Sequence, residues 1–110
     1  MDFNLPPELS ELLKNIDRFI DQAIKPLQAL PFVETGAADR FRLGAPEIAI
    51  ACASHSGTIR HTGLVAAMLH RAGLSADALG CGTHEPTHLA TQRSLIRSGA
   101  HPSPLHHNCS

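Results

Sequence analysis

The chain has 110 residues, a formal net charge of −1, 43% hydrophobic and 4% aromatic residues, and neither tryptophan nor tyrosine. That length holds one domain, and the near-neutral balance excludes a nucleic-acid or anionic-membrane surface as the main partner. An aliphatic core of this size is marginal unless a partner adds buried surface. No basic segment followed by an apolar run opens the chain, and no stretch nears the ~18 apolar residues of a membrane span. The expected setting is therefore the cytoplasm, with the three cysteines reduced.

The expected fold is all-α, four or five short helices. Pro6 and Pro7 suit a first helical turn, with Glu8 and Glu11 near its positive end. Leu9, Leu12, Leu13, Ile16, Phe19, Ile20 and Ala23 recur at helical spacing, with Lys14, Asp17, Arg18 and Asp21 opposite. Pro26 predicts a kink or an end near Lys25. Residues 34–45, with Gly36 and Gly44, read as a loop. Pro46 and Glu47 open a second helix through Ala53, apolar all round at 48–52 and so expected to be buried. Thr58 caps a third, carrying Leu64, Val65, Met68 and Leu69 and stopping at Gly73. Ser75 caps a short helix to Leu79, Gly80-Cys81-Gly82 turns, and Pro86 or Thr87 starts a last helix ended by Gly99. Residues 101–104 read as extended, and nothing reads as a strand.

Two clusters carry chemistry on residue type alone. Cys81, His84 and His88 form Cys-x-x-His-x-x-x-His, part of a zinc set. A structural site needs four ligands, and Cys109 with His106 and His107 would complete it only if the two loops meet; the alternative is a turn leading into a helix. Ser54 precedes His55, but helical neighbours do not face one another, so this is no nucleophile–base couple. The alternative there is a polar helix end.

Several segments together resemble one family. They are Lys25-Pro26-Leu27-Gln28-Ala29-Leu30-Pro31, Ala51-Cys52-Ala53-Ser54-His55-Ser56-Gly57 with Arg60 and His61, Cys81-Gly82-Thr83-His84-Glu85-Pro86, and His107-Asn108-Cys109-Ser110. Over about residues 22–110 the chain is similar to the bacterial L-asparaginases whose fold resembles serine β-lactamases and penicillin-binding proteins. The resemblance implies a piece of a larger α/β domain and hydrolysis of L-asparagine to L-aspartate and ammonia. It implies catalytic roles for Lys25 and Ser54 and a metal-ligand role for Cys109, with zinc the candidate ion of intact members. The family's Ser-x-x-Lys turn places a hydroxyl and an amine on one helical face, yet the residue three before Lys25 is Gln22. The family's Asn-Asn-Cys-Ser-Gly-Lys-His segment reads His107-Asn108-Cys109-Ser110 here and stops. The expectation is a fragment that does not turn over L-asparagine alone.

Residues 1–27, from Met1-Asp2-Phe3-Asn4 to Lys25-Pro26-Leu27, are similar to the first helix of acyl-CoA dehydrogenases. That divides the chain into an N-terminal helix at 1–25 and a partial asparaginase domain at 26–110. The alternatives to an asparaginase are a non-catalytic helical interaction module or homodimer, and a dehydrogenase fragment.

Overall fold

The computed structural model describes residues 6–110; residues 1–5 of the segment expected to resemble acyl-CoA dehydrogenases, and the side chains assigned to the two faces at Ile20 and Asp21, lie outside the described residues. Helix α1 spans Pro7–Phe19, with Glu8 in its first turn and Arg18 in its last, each complementing the nearby end of the helix dipole. Ile20–Ile24 then widen into a π turn, and α2 (Lys25–Glu34) follows directly. Pro26 therefore sits in the first turn of a new helix instead of ending one. Inside a regular helix its ring would collide with the carbonyl four residues back, at Gln22; a widened turn around Gln22 relieves that clash.

The expected loop at 34–45 contains a short helix, α3 (Ala37–Arg40), packed on α2. Helix α4 (Ala45–Ala51) is shorter than expected and is not buried: Ala49 and Ala51 are exposed, Ile48 and Ile50 half-buried. Among the described helices its main packing is on α2 and α5, which cover part of its circumference. Its one buried residue is Glu47. That carboxylate accepts from the Gly44 N–H at 3.0 Å and pairs with Arg71 at 3.3 Å. Its own backbone N–H is the largest influence holding it below its ordinary value; burial opposes this, and the Gly44 N–H and Arg71 add to it.

Helix α5 (Ile59–Arg71) starts where the sequence predicts: Thr58 Oγ1 accepts from the His61 N–H, and His61 Nδ1 accepts from the Thr58 N–H, both at 3.3 Å. A 3₁₀ turn at Ala76–Ala78 replaces the short helix expected to Leu79. Helix α6 (Leu89–Ser98) is capped by His88, later than Pro86 or Thr87, and stops at Gly99. A second 3₁₀ turn, Pro104–His106, leans on α5. There is no strand among the described residues.

The core is small: Ala29, Ala38, Leu43 and Val65, with Pro86 fully enclosed. The apolar face of α1 is outside it, from Leu9 and Leu13 at about two-fifths exposed to Phe19 at 62%. The chain exposes 7825 Å², against about 5,900 Å² for a compact monomer of its mass. Apolar surface left in water is free to associate. The expected result is a melt that shifts with protein concentration, and a shift lost in Ile16→Glu. A sharp, dilution-independent monomer melt above about 65 °C, beyond the usual mesophile range, would contradict it.

Candidate active site

Lys25 opens α2, and Ser54 lies in the irregular segment just past the end of α4. Because α2 packs on α4, the lysine reaches over that end, and its Nζ donates to Ser54 Oγ. The same Nζ stands 3.5 Å from the sulfur of Cys109, 84 residues away in sequence. The three residues singled out from the sequence thus converge from three separate segments. Lys25 and Cys109 line a cleft of about 280 Å³ together with Gln28, Ile50, Ala53 and Ser110, close to the lower bound of small-molecule sites; Ser54 lines the neighbouring cavity with His55 and His61 and reaches this one through its bond to the Lys25 ammonium. Cys109 is exposed and Cys52 and Cys81 are half-buried.

Gln22 is exposed and belongs to the π turn. On a regular helix residues three apart stack on one face. A turn closed between i and i+5 is wider, so position 22 no longer stacks beneath Lys25.

The residue that sequence reasoning undervalued is His55. It is 7% exposed, and its backbone N–H donates to the Asn108 carbonyl at 3.1 Å. Its Nδ1 accepts from the Gly57 N–H at 3.1 Å, and its Nε2 lies 2.7 Å from Ser110 Oγ. Ser110 Oγ donates in turn to the Leu105 carbonyl at 3.2 Å. Because Gly57 donates to Nδ1, the proton of the neutral ring resides on Nε2. Gly57 itself has φ +72°, and a Cβ there would meet Pro86 Cβ at 2.6 Å and the His106 carbonyl at 2.9 Å.

Desolvation, foremost, lowers the His55 pKa below its ordinary 6.5, helped by the charges of His61, Lys25, His106 and His107. A depressed folded value means that the unfolded chain binds the proton first as pH falls. The contribution of His55 is therefore complete above about pH 6.5 and is lost as pH falls through the folded value; that of Glu47 is complete above about pH 4.5 and is lost below it. The melting temperature is expected to fall in two stages on acidification, with His55→Gln removing the upper one. An upper stage unchanged in that variant would refute the assignment.

The two loops do meet, with the His84 and His107 rings 5.5 Å apart edge to face and the Cys81 thiol 3.8 Å from the Pro104 carbonyl, but the expected zinc donors do not gather into a set. His88 Nδ1 accepts from the Thr91 N–H as a helix cap, and His84 Nδ1 donates to the Glu85 carbonyl at 2.7 Å. His106 and His107 use Nδ1 to accept from the N–H groups of Ser103 and Cys109. Among the described residues no three of His, Cys, Asp or Glu come together to hold a metal ion. Cys109 alone does not make a donor set, and no step below runs through a metal.

No helix among the described residues is long and apolar enough to cross a membrane. Comparison with known families gives a match to one family model, L-asparaginase II, over residues 15–110. The match begins inside α1 and so takes in residues 15–25 of the N-terminal segment. No match is found among curated proteins.

Proposed function

The chain belongs to the L-asparaginase II family, and from that premise we propose that the cleft beside Lys25 and Cys109, with Ser54 on the Lys25 ammonium, binds L-asparagine, and that turnover is withheld because position 22 carries Gln22 in place of a hydroxyl and lies off the face of Lys25 on the wide turn. Amide hydrolysis through an acyl-enzyme needs a hydroxyl oxygen to add to the side-chain carbonyl carbon while a base takes its proton. The C–N bond then breaks as that proton passes to the leaving nitrogen, which departs as ammonia, and water cleaves the ester to free L-aspartate and restore the hydroxyl. A lysine within hydrogen-bond reach of a serine is the arrangement for such proton traffic. Lys25 and Ser54 have it.

The Ser-x-x-Lys pattern brings a second hydroxyl to the same lysine. In this chain that position is Gln22, whose amide is neither a nucleophile nor a base. Ser54 then serves to relay a proton with Lys25, while the acyl-forming hydroxyl is missing. The observation that carries this reading is the meeting of Ser54 and Cys109 at the Lys25 ammonium. A second reading, a helical interaction module, draws on the exposed face of α1 and requires no response to L-asparagine.

Ammonia release from L-asparagine tests the reading. Wild type is expected to match Lys25→Ala, and Gln22→Ser to stay silent as well, since the wide turn takes position 22 off the face of Lys25. Release by wild type above the Lys25→Ala control would overturn the assignment of Gln22. Release by Gln22→Ser would overturn the argument from the turn.

A further inference from the structure

The cleft holds together only if the loop carrying Cys109 stays folded onto the segment carrying Ser54. The main chain contributes a bond across that join, from the His55 N–H to the Asn108 carbonyl. The side chain of His55 contributes another. Its ring is buried, and each nitrogen has a partner of the complementary kind. The donor–acceptor order runs one way: Gly57 N–H to Nδ1, Nε2–H to Ser110 Oγ, Ser110 O–H to the Leu105 carbonyl. Ser110 follows Cys109, so fixing its hydroxyl fixes where the sulfur comes to rest. On the other side, His55 follows Ser54, and Gly57 can approach Pro86 and His106 only because it lacks a Cβ. One imidazole thus ties both halves of the site to a common support.

We propose that His55 is a positioning residue: through Nε2 and Ser110 it holds the 107–110 loop so that Cys109 stands against Lys25. It takes no part in the chemistry. The proposal deepens the reading of the cleft as a site for L-asparagine and rests on it only for the meaning of the site, not for the geometry.

The test reads the separation of Lys25 and Cys109 directly, without L-asparagine. Succinimidyl iodoacetate joins an amine to a thiol through a two-carbon spacer, and peptide mass analysis identifies the Lys25–Cys109 link. Wild type is expected to form it. In His55→Asn the amide oxygen can replace Nδ1 as acceptor for Gly57, but the side chain is too short for Ser110, and the link should be lost. In His55→Gln the amide nitrogen takes the place of Nε2 as donor to Ser110, and the link should return. A residue that merely filled space would not separate these two variants by the atom each restores. Equal yields in His55→Asn and His55→Gln, both folded by helical circular dichroism, would overturn the proposal.

Where either His55 variant fails to fold, Ser110→Ala removes the same bond from the loop side. Loss of the link in it supports the proposal and full retention overturns it. If the links behave as stated while L-asparagine does not bind wild type, the positioning role stands and the ligand assignment falls.

Discussion

Gly57→Ala is expected to cost about 2–5 kcal/mol, from about 1–2 for a left-handed φ in an L-residue and about 1–3 for overpacking. The structural cause is double. The backbone at Gly57 is left-handed, at φ +72°, and the added methyl would press on Pro86 and the His106 carbonyl, which are main-chain and ring atoms with little room to yield. Pro86 is the most deeply buried side chain described, so the strain enters the core. In a chain whose core is this small, such a loss populates the unfolded state heavily. Gly73→Ala is the matched control: φ is also +72°, but nothing lies within 4 Å of the new Cβ. It should cost only the backbone term, about 1–2 kcal/mol. Urea midpoints of the two variants give the comparison, and equal losses would show that Gly57 is not pressed against Pro86.

Lys25→Ala is expected to have the largest effect on ligand affinity. A hydrogen bond to a charged group is worth about 1.5–3 kcal/mol, so losing the ammonium from the cleft should weaken L-asparagine binding about 10- to 100-fold. The helices should survive, because Lys25 is only half-buried at the start of α2 and its loss leaves no large cavity. Unchanged affinity in a folded variant would remove Lys25 from the site.

Local signals were legible where a single residue decides a helix end. Thr58 begins α5 and Gly99 ends α6 because capping depends on atoms within a few positions. Burial of α4 was not legible. An apolar run at 48–52 states what could be covered, whereas coverage depends on how many neighbours arrive, and α2 and α5, the main ones described, leave Ala49 and Ala51 exposed. The π turn was hidden for a related reason: Ile20–Ile24 keeps ordinary helical spacing, and Pro26 marks a disturbance without saying whether the chain will break or widen. Lys25, Ser54 and Cys109 were picked out by resemblance, since no local pattern joins residues 84 positions apart. His55 escaped notice because its partner, Ser110, is 55 residues away; the rule that helical neighbours do not face one another spoke only to its relation with Ser54.

Calorimetric titration of the wild-type chain with L-asparagine, followed by assay of the recovered ligand and of free ammonia, tests the central claim most directly. The expected result is a saturable heat with one ligand per chain, the amide recovered intact and no ammonia above buffer. Absence of any saturable heat would contradict the cleft as an L-asparagine site, and ammonia accumulating with the titrated ligand would contradict the claim that a missing hydroxyl at position 22 on its wide turn withholds turnover.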